Sequence, residues 1–298
     1  MTQINADKSL FNNCGLKFDF MSLNSNSVAV ITGAASGIGR ALAVRLAQEN
    51  IVGIAISDVN EEGLNETAKL AEATGVSVST HVINVAELEQ VQQLADDVVA
   101  KHGRVTHLIN NAGVGLIGTF EQISIEDFEW LMGINFWGVV YGCKVFLPIL
   151  QTEELAHIIN VSSVFGLIAP PEQTAYVAAK FAVRGFTESL RHELADSNIS
   201  VSSVHPGGIK TNIVRNARLA TDAPEEWKQQ ATKFFERVTQ TSSEEAAELI
   251  VKGIKEKNPR ILIGRDAKAI SLISRLFPKG YLKIIERLNG HKMSLRKK

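Results

Sequence analysis

The chain has 298 residues, 45% of them apolar and 21% charged, with a net charge of −1. This is an ordinary globular composition that suits one large domain or two small ones. Its two cysteines, Cys14 and Cys143, stand far apart, which excludes a disulfide framework and a CxxC metal or redox site and points to a reducing cytoplasm.

The leader MTQINADKSLFNNCGLKFDF carries Asp7, Lys8, Lys17 and Asp19 and no continuous apolar core, which argues against a secretory signal. We expect residues 1–26 to be a flexible leader, 27–265 one catalytic domain, and 266–298 a basic amphipathic extension. From VAVIT (28–32) the chain settles into a rhythm. A helical pattern runs from Ile38 to Asn50, then come IVGIAIS (51–57), a second helix to Thr74, VSVSTHVI (76–83), a third helix and VTHLIN (105–110). Further β-rich runs stand at AHIINVS (156–162), SVSSVH (200–205) and RILIG (260–264). Apolar β-rich runs alternating with helices imply βαβ units around a sheet buried on both faces. The expected fold class is therefore α/β, a doubly wound, mostly parallel seven-stranded sheet. The run 131–150 is long enough to span a membrane and holds one charge, Lys144, but Asn135, its glycines and Pro148 suit a buried interface helix better.

TGAASGIG (32–39) lies between the first strand and a helix. Gly33 allows a tight turn, Gly37 a close backbone approach to a pyrophosphate, and Gly39 close packing of helix on strand, with the helix N-terminus facing the phosphates. Further on come NNAG (110–113), INFWG with Asn135, INVSS with Ser163, YVAAK with Tyr176 and Lys180, and HPGGIKT (205–211). These motifs, in this order, resemble the short-chain dehydrogenase/reductase family over about residues 28–265.

The resemblance implies a nicotinamide dinucleotide cofactor. It implies contacts from Gly33, Ser36, Gly37, Ile38 and Gly39, from Asn84 and Val85, and from Asn111, Ala112 and Gly113. Pro206, Gly207, Ile209 and Thr211 would complete the cradle with Tyr176 and Lys180. Asn84 departs from the family, which usually has Asp there; its carbonyl can still accept a hydrogen bond from the adenine amino group. Asp58 follows the second strand, where a carboxylate accepts the ribose hydroxyls of NAD and repels the extra phosphate of NADP. At about 4 Å and an effective dielectric near 20 one such repulsion is worth roughly 4 kcal/mol, so NAD(H) is expected over NADP(H).

Tyr176 and Lys180 are spaced i, i+4 and share a helix face. A lysine charge about 4 Å from the phenol would lower its pKa by about three units, toward neutrality, and fit it for proton transfer to a substrate oxygen. Ser163, at a strand end, would hold that oxygen, and by alternation Ser162 should point elsewhere. By resemblance Lys180 also holds the nicotinamide ribose, and Asn135 supports a proton-relay water. The catalytic set is thus Asn135, Ser163, Tyr176 and Lys180, with Ser163, Phe165 and Tyr176 toward the substrate. Leu167, Ile168, Ile213, Val214 and Leu219 fit an apolar pocket or, equally, core and interface. The seven histidines show no paired metal spacing, and no metal is expected.

The expected activity is an NAD-dependent alcohol dehydrogenase or carbonyl reductase. A reductase of 3-oxoacyl thioesters and a non-catalytic dinucleotide-sensing protein are the alternatives. The apolar helix 125–151 and the helix beginning near Thr174 should pair with their copies in a homodimer or homotetramer, burying Phe136, Trp137 and Val140. From Lys257 onward the chain has 12 Lys or Arg against 2 acids, a net of +10, which leaves −11 on residues 1–256. Within this tail Ile270, Ile273, Leu276 and Phe277 form one apolar helical face, and Leu282, Ile284, Ile285 and Leu288 form another. Either the tail packs over the lid or a neighbouring subunit, or it rests on an anionic membrane surface. Nucleic-acid binding is disfavoured because aliphatics, not stacking aromatics, interleave the charges.

Overall fold

In the computed structural model, which describes residues 23–290 and Ser294, each of the seven β-rich runs contributes a strand. Most of the expected leader and the last residues of the tail lie outside these described residues. The order is β1 (Val28–Thr32), α1 (Gly37–Ala47), β2 (Gly53–Asp58), α2 (Glu61–Glu72), β3 (Ser77–Val82), α3 (Leu88–His102) and β4 (His107–Asn110). A short β5 (Leu116–Ile117) leads to α4 (Ile125–Met132) and α5 (Gly138–Leu150). Then follow β6 (Ala156–Val161), α6 (Thr174–Glu193), β7 (Ile199–Pro206), β8 (Arg218–Leu219), α7 (Glu225–Val238), α8 (Ser243–Lys255) and β9 (Arg260–Ile263). Two helices, α9 (Arg265–Leu276) and α10 (Tyr281–Asn289), close the described chain.

The large sheet has the order β3-β2-β1-β4-β6-β7-β9 with every pairing parallel. The chain reverses its direction of winding between β1 and β4, so a crevice opens above their carboxyl ends. Alternation along β1 shows why both faces are apolar. Ala29 and Ile31 pack with Leu42 and Leu46 of α1 and Ile250 of α8, while Val30 packs with Leu94 of α3 and Phe146 of α5.

The apolar run read as one helix is continuous from Ile125 to Leu150, but residues Gly133–Trp137 widen into a π turn between α4 and α5. It is the one described helix long and apolar enough to cross a membrane. Here it lies on the sheet, with Val139, Cys143, Phe146 and Leu150 buried and Trp137 facing outward at 48% exposure. Burial pushes the Cys143 thiol up to about 12, so it packs as an inert apolar group.

Candidate active site

The glycine turn leaves β1 and enters α1 with Gly33 at φ 68° and Gly37 at φ 55°, a region that residues with a side chain rarely adopt. A Cβ on Gly39 would stand 2.1 Å from the Gly33 carbonyl oxygen, so only glycine lets α1 start this close to the turn. Ser36 occupies the N-cap without a side-chain hydrogen bond, and no acid sits in the first turn of α1. The helix start beside Ile38 therefore offers uncapped backbone polarity to an anion, which fits a dinucleotide pyrophosphate. Thr211 covers this turn, its Cγ2 3.2 Å from where a Gly37 Cβ would be.

Asp58, at the end of β2, accepts the Ala35 N–H at 3.1 Å and the Asn60 N–H at 3.1 Å. Arg40 reaches the Ala35 carbonyl from α1 and also pairs with Glu66 at 2.7 Å, so the cation nearest this turn already has a carboxylate partner. The Asn84 side-chain oxygen accepts the Ala86 N–H at 3.1 Å, and Val85 is buried against Gly138. Asn111 is tied inward: its amide donates to the Thr32 and Gly33 carbonyls at 2.9 and 3.0 Å. Thr32 Oγ1 in turn accepts the Asn111 and Ala112 N–H groups at 3.1 Å each. Asn111 thus fastens the β4 end to the glycine turn. Asn110 is buried and donates to Asn160 at 2.9 Å.

The four predicted catalytic residues converge above β4 and β6. Asn135 in the π turn is fully buried; its Oδ1 accepts the Val114 N–H at 2.8 Å and its Nδ2 donates to the Val114 carbonyl at 2.9 Å. Gly113 lies between Asn135 and Lys180, where a Cβ would stand 3.3 Å from Asn135 Oδ1 and 3.5 Å from Lys180 Nζ. Lys180 Nζ donates to the Val161 carbonyl at 3.0 Å and lies 5.6 Å from the Tyr176 ring centroid. Ser163 Oγ accepts the Phe165 N–H at 3.1 Å, and the Phe165 ring meets Tyr176 edge to face at 6.1 Å. Ser162 points away, donating to the Lys180 carbonyl at 2.8 Å.

The electrostatics differ from the simple lysine–phenol arithmetic. Burial pushes the Tyr176 phenol up to about 12, and a hydrogen bond with Ser163 works against this only in part. Burial also lowers Lys180 to about 8. The ammonium sits over the ring and serves a carbonyl, so desolvation outweighs its charge at the hydroxyl. At neutral pH the pair is a neutral phenol beside an ammonium.

Beyond β7, Gly207 donates to the Ile263 carbonyl at 2.9 Å and Gly208 to Asp266 Oδ2 at 2.7 Å, so the HPGG loop that follows Pro206 is anchored by the start of α9. The Ile209 side chain is buried in the core beside α8. Val214 and Leu219 pack in one apolar cluster with Tyr176, Trp130 and Phe136, while Leu167 and Ile168 are buried behind the Ser163 loop. A cleft of about 700 Å³ touches the glycine turn at Gly37 and continues between α1 and α7, without reaching Ser163, Tyr176 or Lys180.

Sequence reasoning missed three positioning groups. His205 is fully buried; its Nδ1 donates to the Ser163 carbonyl at 3.0 Å, which leaves Nε2 to accept from Ser203 at 3.1 Å. Burial lowers His205 to about 4, so it is neutral at pH 7. Arg218 on β8 binds Asp127 at 2.7 Å and lies 3.7 Å over the Trp130 ring, fastening the segment after β7 to α4. Asp266 is the third. The one signal in the sequence, for His205, is a histidine in a strand whose other polar residues are all serines.

Comparison with known proteins agrees with this geometry. The short chain dehydrogenase family profile matches residues 27–222. A Mycobacterium tuberculosis protein described as an oxidoreductase, SadH, is 45% identical over 268 residues, covering 89% of this chain and 96% of its own. The 3-oxoacyl-[acyl-carrier-protein] reductase FabG of Thermotoga maritima is 38% identical over 184 residues, covering 62% of this chain and 74% of its own. Among solved structures, a short-chain dehydrogenase/reductase from Burkholderia phymatum in complex with NAD superposes with a TM-score of 0.78 at 30% identity, covering 93% of this chain and 99% of that one. On the combined strength of fold, motif geometry and these matches, the chain belongs to the short-chain dehydrogenase family of oxidoreductases.

Proposed function

We propose that this oxidoreductase interconverts apolar secondary alcohols and ketones, with NAD(H) as hydride carrier. The observation that most supports this is the meeting of Ser163, Tyr176 and buried Lys180 beside an apolar cluster that includes Val214 and Leu219. The bound nicotinamide supplies hydride transfer and, when oxidised, a positive charge. The chain's own groups do the rest. Ser163 Oγ donates to the substrate oxygen, and Tyr176 Oη gives or takes the proton. Lys180 keeps a positive charge next to the phenol, and Asn135 holds the Val114 segment and supports proton relay. His205, through the Ser163 carbonyl, fixes the strand end that carries the serine.

Asp58 supports NAD over NADP. The expected preference in specificity constant, NADH over NADPH, is roughly tens- to hundreds-fold, from a like-charge contact discounted for solvent. Equal constants for the two cofactors would contradict it. The similarity to the Thermotoga reductase favours one second reading, reduction of 3-oxoacyl thioesters.

We also propose pairing of two copies through the π turn with α5 and through α6, since Trp137 of the turn and Phe181 of α6 are 48% and 39% exposed. A mass in solution at micromolar concentration should be that of a dimer or tetramer, and a strictly monomeric mass would refute the pairing.

A further inference from the structure

The hairpin of α9 and α10 is tied to the catalytic body on one side and bare on the other. Inward, Ala267 and Ile285 are buried, and Tyr281 Oη accepts the Ala169 N–H at 3.1 Å. Ser294 donates to Glu172 at 2.7 Å on the same loop that follows Ser163. The apolar faces expected from the sequence divide: Ile270, Ile273 and Leu282 turn toward the body, whereas Leu272, Leu276, Phe277 and Leu288 are 59, 60, 52 and 71% exposed.

Cations flank these outward side chains. Arg265, Lys268 and Arg275 share the outer stripe of α9 with Leu272 and Leu276, Lys279 lies in the turn between the helices, and Lys283 and Arg287 are one turn apart on α10, all of them exposed. None of the six forms an ion pair among the described residues. In the body, Arg45, Arg104, Arg215 and Lys255 each meet a carboxylate, while others such as Lys69 and Lys101 meet none among the described residues; what sets the hairpin apart is that its cations flank exposed aliphatic side chains. The tail beyond α10 adds Lys292, Arg296, Lys297 and Lys298.

An occupant must be apolar and negatively charged at once. A second copy meeting this face through a two-fold axis would set the same cations against themselves. An anionic bilayer surface meets both demands, because it accepts aliphatic side chains at the headgroup–acyl boundary and attracts the surrounding lysines and arginines. We propose that the α9–α10 hairpin docks this enzyme on an anionic phospholipid surface. Because Tyr281 and α9 hold the loop after Ser163, docking sets that loop beside the lipid interface, where apolar molecules concentrate. Membrane binding is read without turnover, so it stands or falls separately from the proposed reaction.

The test is cosedimentation of the full chain with vesicles of phosphatidylcholine alone and of phosphatidylcholine mixed with phosphatidylglycerol, at low and high salt. The expected result is binding to the mixed vesicles at low salt, roughly tenfold or more above neutral vesicles, with release at high salt. A triple variant Leu272→Gln, Leu276→Gln, Phe277→Gln and a charge variant Lys279→Gln, Lys283→Gln, Arg287→Gln should each lose most of this binding. Both should keep the melting temperature and cofactor affinity of the parent, since every replaced side chain is exposed. The proposal is overturned if the parent stays in the supernatant with the mixed vesicles at low salt, if it binds both vesicle types equally, or if both variants bind like the parent. Loss of oligomeric mass in the variants, with no vesicle binding by the parent, would assign the face to a second copy instead.

Discussion

Tyr176→Phe is expected to lower turnover by roughly 10²- to 10⁴-fold, the usual worth of a positioned acid or base, while cofactor affinity stays within a few-fold. The substitution is narrow. Phenylalanine keeps the edge-to-face contact with Phe165 and the ring face beneath Lys180, and removes only the hydroxyl whose proton would move. With the phenol pushed up to about 12 by burial, the folded enzyme carries this group protonated, so losing it changes no charge in the resting state. Turnover within a few-fold of the parent, measured by nicotinamide absorbance beside a cofactor titration, would remove Tyr176 from the mechanism.

Lys180→Met separates function from stability. The buried ammonium is lowered from 10.5 to about 8, so by about 1.36 kcal/mol per unit the fold bears a cost of roughly 3 kcal/mol to keep it charged. Methionine relieves that cost but leaves the Val161 carbonyl without its donor, a loss of about 1–3 kcal/mol. The expected outcome is an unchanged or higher melting temperature together with a loss of activity of roughly a hundredfold or more, since no positive charge then stands beside the phenol as its proton moves. The sign of the pH dependence checks the assignment. Between about 8 and 10.5 the unfolded chain binds a proton at Lys180 that the folded chain does not, so the parent should gain stability as pH rises through that window. The methionine variant should lack this rise. A methionine variant that is both destabilised and active would contradict the role given to Lys180.

Most strands were legible because they are short runs of apolar and β-branched residues; all five residues of β1 are buried, and its one polar residue, Thr32, closes it. The glycine turn was legible because Gly33 and Gly37 occupy backbone angles that few other residues tolerate. Other features depend on contacts between distant parts of the chain. The π turn around Asn135 is anchored to Val114, and nothing in the local apolar pattern separates it from an ordinary helix. Arg218 and Asp127 are 91 residues apart, and β5 and β8 hold two residues each, too few to carry a period. The tyrosine was placed correctly beside its lysine, but the sign of its shift was misjudged, because helical spacing gives a distance and says nothing of desolvation. The tail's apolar residues were visible as helical faces, yet which of them turn inward was decided by the loop after Ser163 that Tyr281 meets.

The central claim is that Ser163, Tyr176 and Lys180 form a working hydride-transfer site that prefers NAD(H). It is tested most directly by incubating the full chain with NAD and a panel of apolar secondary alcohols, and with NADH and the matching ketones, while following nicotinamide absorbance. The account predicts turnover of at least one such pair, faster with NAD(H) than with NADP(H). Tight cofactor binding with no absorbance change on any alcohol, ketone or 3-oxoacyl thioester would contradict it and leave a protein that senses the dinucleotide without using it.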